Sequence, residues 1–166
     1  MNLEIFSLKE VIELIQNGEI KKYTHCISIG DPKSNLPNGL EIFGDKLLRL
    51  EFFDMDEALS RVEGLPDFKD LPSFAPTPMI VKQILDFSKT LIQDENCNLL
   101  IHCNMGVSRS TATGLILLYQ KHKNEELALK ILNQKTNKPL PNTYLIGYAD
   151  QILNSNLYKI IPRIFG

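Results

Sequence analysis

A cysteine and an arginine separated by five residues, Cys103 and Arg109, form the most chemically informative pair in the sequence. The apolar run Leu99–Ile101 precedes them and the apolar run Gly114–Tyr119 follows, a pattern that predicts a strand, a short loop and a helix. The N–H groups of such a loop, with the unpaired N–H groups and positive dipole end of the helix, can bind a tetrahedral dianion. The sequence therefore predicts a phosphate site with a thiol at its base.

The residue types in this loop supply the groups that phosphoryl transfer needs. Cys103 lies in a positive field, which favours the nucleophilic thiolate. The planar guanidinium of Arg109 can bind two phosphoryl oxygens and stabilise the charge that develops on them. Gly106 permits a positive φ or a close approach to the ligand. The hydroxyl of Ser110 can hydrogen-bond the cysteine sulfur.

The ten residues of segment 102–111, HCNMGVSRST, resemble the signature His-Cys-x-x-Gly-x-x-Arg-Ser/Thr of the cysteine-dependent protein tyrosine phosphatases. They are most similar to its small dual-specificity branch. This resemblance implies that Cys103 is the nucleophile, that Arg109 binds the phosphoryl group and that Ser110 assists departure of the thiolate. It also implies a cysteinyl-phosphate intermediate and no metal or other cofactor. The N–H groups expected to hold the phosphoryl oxygens are those of Asn104, Met105, Gly106, Val107, Ser108 and Arg109.

The reaction also needs a carboxylic acid that protonates the leaving oxygen and then activates water. Residues 46–53 predict a strand that ends directly before Asp54, and ligands of α/β sheets collect outside the carboxyl ends of strands. The acid of the resembling phosphatases also follows a strand, so Asp54 is the first candidate. Asp67 is the second, because it ends a Leu-Pro-Asp sequence similar to the Trp-Pro-Asp loop of larger tyrosine phosphatases, and Asp56 is the third. Residues 54–76 form a long predicted loop, typical of a lid.

The other elements alternate strands with helices and then continue with helices alone. This order predicts a three-layer α/β domain with a central sheet, and the resemblance implies a phosphotyrosine-phosphatase-like fold with a mostly parallel sheet flanked by helices. We expect one domain over residues 1–166. The predicted helices cover residues 7–18, 78–92, 109–122, 124–133 and 142–153, the strands cover residues 23–29, 46–53 and 97–101, and a further short strand is predicted at 40–43.

Three residues near these strands have structural interpretations. His102 is expected to hydrogen-bond backbone and hold the loop in shape, as a histidine beside a reactive residue often does. Cys26 and Cys97 are predicted to be inert strand residues. The sequence has three cysteines and no Cys-x-x-Cys pair, which argues against a disulfide framework or a zinc site.

Composition sets further limits on function. With 166 residues, of which 43% are hydrophobic, the chain can bury a substantial core. A net charge of −2 provides no global basic field for nucleic acid or for an anionic membrane. No apolar segment is long enough to span a bilayer, and charged residues interrupt the apolar runs near the N-terminus, unlike a signal peptide. We expect a cytoplasmic monomer that binds neither nucleic acid nor membrane.

The interior of the loop narrows the substrate class. Phosphoinositide phosphatases of the resembling superfamily usually have extra lysines in this loop, whereas the intervening residues here are uncharged. This difference favours a phosphorylated protein as substrate, with phosphotyrosine first and phosphoserine or phosphothreonine second. Three alternatives remain at this point: a phosphoinositide phosphatase, a catalytically weak phosphate-binding relative, and a sulfurtransferase or arsenate reductase with a short cysteine loop.

Overall fold

A four-stranded parallel sheet forms the centre of the computed structural model, which describes residues 1–55, 74–137 and 139–161. The strands lie in the order β1-β4-β2-β3. Their bounds are β1 Asn2–Ser7, β2 His25–Gly30, β3 Leu47–Glu51 and β4 Asn98–Cys103. All the described strand pairs are parallel, so the predicted α/β class with a mostly parallel sheet is confirmed. The carboxyl ends of β2, β3 and β4 therefore lie at the same edge of the sheet.

Helices cover both faces of this sheet. They are α1 Leu8–Gln16, α2 Pro78–Ser88, α3 Arg109–His122, α4 Glu125–Lys135, α5 Thr143–Leu153 and the short α6 Leu157–Ile160. The predicted helices are confirmed, although α2 ends at Ser88 rather than Ile92, and α4 extends to Lys135. Two 3-10 segments, Glu19–Lys22 and Leu40–Lys46, complete the described elements.

The described residues form two hydrophobic cores, and side chains along β4 alternate between them. Leu99, Ile101 and Cys103 belong to the large core, which contains residues of α2, α3, α4 and α5. Leu100 belongs to a smaller core together with residues of α1 and of both 3-10 segments. Successive side chains of a strand point to opposite faces, so one strand contributes to both cores. This arrangement gives the three layers that the element order predicted.

Strand β1 is an element that the sequence analysis did not predict. Only Met1, Leu3 and Ile5 are buried in this region, and Glu4 interrupts them, so the apolar pattern is too short to stand out. β1 is paired to β4 along its whole length, and Ser7 lies opposite Cys103. The edge strand therefore reaches the level of the predicted nucleophile.

The short strand predicted at residues 40–43 is wrong, because Leu40–Lys46 is a 3-10 segment. Gly39 and Gly44 flank or interrupt it with φ values of 109° and 55°, which suit glycine and break an extended strand. Leu40 and Phe43, three residues apart, are both buried, as expected for the period of a 3-10 helix.

In the described residues, no helix combines the length and apolar character needed to cross a bilayer.

Leu100 provides a test of this architecture, because it is fully buried on the central strand. We expect Leu100→Ala to lower the free energy of unfolding by about 2–5 kcal/mol, through lost burial and the cavity that remains. Urea denaturation followed by circular dichroism measures this change. Met79→Ala is the control, because Met79 is 61% exposed, and it should have little effect. Equal losses in the two variants would contradict the assigned core.

Candidate active site

The phosphate loop, defined here as residues 103–109, joins the end of β4 to the start of α3. Gly106 within it has φ 69°, a conformation that the sequence analysis anticipated for a glycine. A Cβ at this position would lie 2.8 Å from the backbone nitrogen of Ser7 and 2.9 Å from the carbonyl carbon of Phe6. The close approach at Gly106 is therefore to the backbone of β1. This contact explains why glycine is needed at this position.

Backbone hydrogen bonds orient the phosphate loop. Three of its carbonyls accept from neighbouring segments: Asn104 O from Leu8 N (3.1 Å), Val107 O from Leu140 N (2.9 Å) and Ser108 O from Asn142 N (3.2 Å). The N–H groups of residues 104–108 have no hydrogen-bond partner among the residues that the structure describes. A segment with its carbonyls paired and its N–H groups unpaired is suited to bind an anion.

Cys103 lies at the base of this loop. Its Sγ is 3.1 Å from Oγ of Ser110, the second residue of α3, and both side chains are buried. The hydroxyl is thus at the position where the sequence analysis expected a partner for the sulfur. A hydroxyl in this contact can donate a hydrogen bond to a thiolate and stabilise it.

Arg109 opens α3 and is only 3% exposed. Its Nη1 donates to Oδ1 of Asp31 at 2.9 Å and to the carbonyl oxygen of Phe52 at 2.7 Å. The Phe52 ring also lies under the guanidinium, with its centroid 5.9 Å from Cζ. Nε, by contrast, is buried and has no hydrogen-bond partner within the described ranges. One corner of the guanidinium is therefore fixed by protein, and Nε can donate to a bound anion.

Asp31 is a site residue that the sequence analysis missed. It follows β2 directly, and besides its ion pair with Arg109 it accepts from Nδ2 of Asn104 through Oδ2 at 3.2 Å. Asp31 thus connects residues near the two ends of the phosphate loop. The Gly-Asp-Pro sequence is typical of a turn, which hid this role. The signal that could have revealed it is the rule that selected Asp54, a carboxylate just beyond the carboxyl end of a parallel strand.

Asp54 lies beside the phosphate loop. Its Oδ1 accepts from Oγ of Ser108 at 2.6 Å and from Nδ2 of Asn142 at 3.0 Å. The same Nδ2 donates to the carbonyl of Met55 at 2.7 Å, and Asn142 is fully buried. β3 ends at Glu51, earlier than predicted, so Asp54 is reached through two further residues of irregular chain. The other candidate acids, Asp56 and Asp67, lie outside the described residues, as does most of the predicted lid.

His102 packs beneath the loop and contacts backbone, as expected. Its Nε2 is 2.7 Å from Oγ of Ser28 and its Nδ1 is 3.4 Å from the carbonyl oxygen of Cys103. Burial lowers the pKa of His102 to about 4. The positive charges of Arg49 and Arg109 lower it further, whereas the hydrogen bond that His102 donates to the carbonyl of Cys103 opposes the shift. His102 is therefore neutral at physiological pH.

The other two cysteines have surroundings that fit the predicted inert role. Burial raises the pKa of Cys26 to about 12, and burial also raises the pKa of Cys97. Thiols with raised pKa values are poor nucleophiles at neutral pH, because little thiolate forms. Cys26, Cys97 and Cys103 are all free.

Solved phosphatase structures share this fold. The PTP-2 phosphatase of Cydia pomonella superposes with a TM-score of 0.62 and 16% identity, covering 91% of this chain and 85% of that one. Human DUSP28 gives a TM-score of 0.59 at 13% identity, with coverage of 92% and 90%. PTPMT1 in complex with PI(5)P gives 0.57 at 15% identity, with coverage of 92% and 93%. No protein-family model matches the sequence.

The class of fold follows from these superpositions. The chain has the three-layer α/β fold of tyrosine and dual-specificity phosphatases, which confirms the fold implied by the resemblance of the phosphate loop. Identities of 13–16% establish the shared fold alone. The assignment of chemistry therefore depends on the geometry of the site.

Asp31→Asn tests whether the ion pair between Asp31 and Arg109 orients the guanidinium for phosphate binding. We expect the affinity for inorganic phosphate to fall by roughly tenfold, because the neutral amide cannot form the ion pair that orients the guanidinium. Isothermal titration calorimetry measures the dissociation constant. The control is Asp45→Asn, which neutralises an exposed carboxylate. Tighter phosphate binding by Asp31→Asn would contradict this role of Asp31. It would mean that the gain from removing a nearby negative charge outweighs the loss of an oriented guanidinium.

The pH dependence of stability tests whether His102 is neutral in the folded protein. The pKa of His102 is about 4 in the folded chain, and an unfolded histidine has a pKa of about 6.5, so the unfolded state binds more protons between these values. Stability from this group is present above pH 6.5 and is lost as the pH falls towards 4, by roughly 3 kcal/mol in total. Between pH 7 and pH 4, the free energy of unfolding measured by urea denaturation should fall less steeply for His102→Asn than for wild type. Parallel curves would show that His102 is not the group responsible.

Proposed function

We propose that this chain is a cysteine-dependent phosphatase that hydrolyses phosphotyrosine in proteins through a cysteinyl-phosphate intermediate. One observation is central to this proposal: the five N–H groups between Cys103 and Arg109 lack hydrogen-bond partners in the described part of the chain. The buried Nε of Arg109 adds a further donor beside them. A thiol at the base of a ring of donors is the arrangement that in-line attack on a phosphate ester requires.

The first step forms the intermediate. The Cys103 thiolate attacks phosphorus, an S–P bond forms, and the P–O bond to the leaving group breaks. The N–H groups of residues 104–109 and the guanidinium of Arg109 hold the equatorial oxygens, where negative charge is distributed in the transition state. Asp54 donates a proton to the departing oxygen. Its contact with Ser108 supports this assignment, because it keeps the carboxyl group next to the loop.

The second step regenerates the enzyme. Water attacks phosphorus, the same carboxylate accepts the water proton, and the S–P bond breaks to release inorganic phosphate. The hydroxyl of Ser110, 3.1 Å from Sγ, supports the return of charge to sulfur by donating a hydrogen bond to the departing thiolate.

The uncharged residues of the phosphate loop support a phosphoprotein substrate over a phosphoinositide. Asn104, Met105, Val107 and Ser108 provide no cation for additional phosphates on a head group. Met105 of this loop is 77% exposed and so presents an apolar side chain at the surface, which suits the hydrocarbon and aromatic parts of a peptide. Phosphoserine and phosphothreonine peptides are the second substrates to test.

Turnover of para-nitrophenyl phosphate by wild type and variants tests the chemistry. Cys103→Ser should abolish activity, since an alcohol is a much weaker nucleophile at neutral pH. Arg109→Lys should lower kcat/KM by roughly 10²–10³-fold, because an ammonium cannot reproduce the planar fork. Asp54→Asn should lower kcat by roughly 10²-fold or more through loss of the general acid. Full activity of Cys103→Ser would overturn the proposal.

Two matched comparisons resolve the remaining assignments. If Asp67→Asn or Asp56→Asn lowers kcat strongly while Asp54→Asn does not, the acid is that residue. A phosphotyrosine peptide and a short-chain phosphatidylinositol phosphate, assayed for released phosphate at equal concentration, distinguish the substrate classes. A preference for the lipid would contradict a phosphoprotein substrate. Phosphate binding without turnover of either substrate would identify a binding protein instead.

A further inference from the structure

A row of polar side chains crosses the sheet directly beneath the candidate active site. Arg49 of β3, Ser28 of β2 and His102 of β4 lie opposite one another in the strand register. Nη1 of Arg49 donates to Oγ of Ser28 at 2.8 Å, and that oxygen is 2.7 Å from Nε2 of His102. Ser28 and His102 are buried, and the Arg49 side chain is 18% exposed. The row therefore joins three strands just before their carboxyl ends.

The donor and acceptor roles along this row follow from which of its groups carry hydrogen. The carbonyl oxygen of Cys103 can only accept, so neutral His102 carries its proton on Nδ1, which donates to that oxygen at 3.4 Å. Nε2 of His102 then has no proton and accepts from Oγ of Ser28. Arg49 can only donate, so Oγ of Ser28 in turn accepts from Nη1 of Arg49. One orientation of donors thus runs from Arg49 to the backbone of the predicted nucleophile.

The same guanidinium binds the segment that follows β2. Nη2 of Arg49 donates to Oγ of Ser34 at 2.8 Å, and it also contacts the carbonyls of Ser34 and Asn35 at 3.3 and 3.4 Å. A Cβ on Gly30 would lie 2.4 Å from this nitrogen, so the glycine leaves space for the arginine. Asp31, which pairs with Arg109, begins the segment held in this way.

We propose that Arg49 is a positioning residue that sets both halves of the phosphate site, reaching Cys103 through Ser28 and His102, and Arg109 through the segment that begins at Asp31. This inference rests on the proposed phosphatase function. Arg49 touches no reacting atom, and its effect on turnover is transmitted by the residues it holds.

The energetics favour a functional role over a purely structural one. Removing an arginine from water is costly, and Nε of Arg49 has no hydrogen-bond partner in the described chain, with its nearest carboxylate, Glu51, at 3.9 Å. An apolar row at this level of the sheet would avoid that cost. The polar row lies one residue before Cys103, where its orientation can control the site.

A double-mutant cycle on kcat/KM tests the connection. Arg49→Met should lower kcat/KM by roughly 10–100-fold, as loss of a residue that orients active groups typically does. Ser28→Ala should give a smaller loss, because Ser28 belongs to only one of the two paths by which Arg49 acts. The double variant should be no worse than Arg49→Met, because that path is already lost in Arg49→Met. Arg49→Lys should not restore wild-type activity, since one ammonium cannot bind Ser28 and the Ser34 segment together. Lys46→Met, which removes an exposed cation from the same region, is the control and should match wild type.

Nitrogen-15 NMR of the histidine rings provides a readout that does not depend on turnover. Wild-type His102 should show the Nδ1-protonated tautomer, and Arg49→Met should shift part of the population to the Nε2-protonated form. Additive effects of Arg49→Met and Ser28→Ala, full rescue by lysine, or an unchanged His102 spectrum in folded Arg49→Met would each overturn the inference. If wild type turns over no phosphate ester but Arg49→Met still shifts the His102 tautomer, the proposed function is refuted and the link from Arg49 to His102 is retained.

Discussion

The backbone orientation of the phosphate loop is the constraint on which the site depends. A five-residue turn between a strand and a helix can present either its N–H groups or its carbonyls to the interior. Bonds from Leu8, Leu140 and Asn142 hold three carbonyls towards the protein. Gly106 adopts the positive φ that the turn requires, and β1 leaves no space there for a side chain. The donors are consequently in position before any anion binds, which reduces reorganisation during binding and reaction.

Carboxylates placed around this loop have different surroundings. Asp31 pairs with a buried arginine and is engaged at both oxygens, which suits a fixed charge that orients its partner. Asp54 accepts both of its described hydrogen bonds at Oδ1. A carboxyl group held through one oxygen can use the other for proton transfer. Two aspartates beyond the ends of neighbouring strands therefore suit different tasks, because their neighbours differ.

Local patterns made much of the fold predictable. The amphipathic periodicity of α1 and its Ser7–Glu10 capping box lie within a few residues, and the structure contains both. The apolar runs around Cys103 predicted β4 and the buried helix α3, which begins at Arg109 and ends at His122 as expected. β1 was missed because its alternation is short, and residues 40–43 were misassigned because two glycines determine their turn. Pairing with β4 determines the first region and backbone conformation determines the second, and hydrophobic periodicity along the sequence reveals neither.

The sequence by itself determined the phosphate loop, its thiol and arginine, and the strand–loop–helix around them, because these features depend on residues adjacent in the chain. Only the tertiary structure decided which distant residues lie beside them in the candidate site. Asp31 and Arg109 are 78 positions apart, Asp54 and Ser108 are 54 apart, and Asn142 lies 88 positions from Asp54. The contacts of Asp31 and Asp54 with the loop follow from the parallel register, which brings the ends of β2, β3 and β4 to one edge. Asn142, the N-cap residue of α5, is held at this edge by its hydrogen bond to Ser108. No local pattern contains that register, since it results from how the whole sheet packs between its two layers of helices.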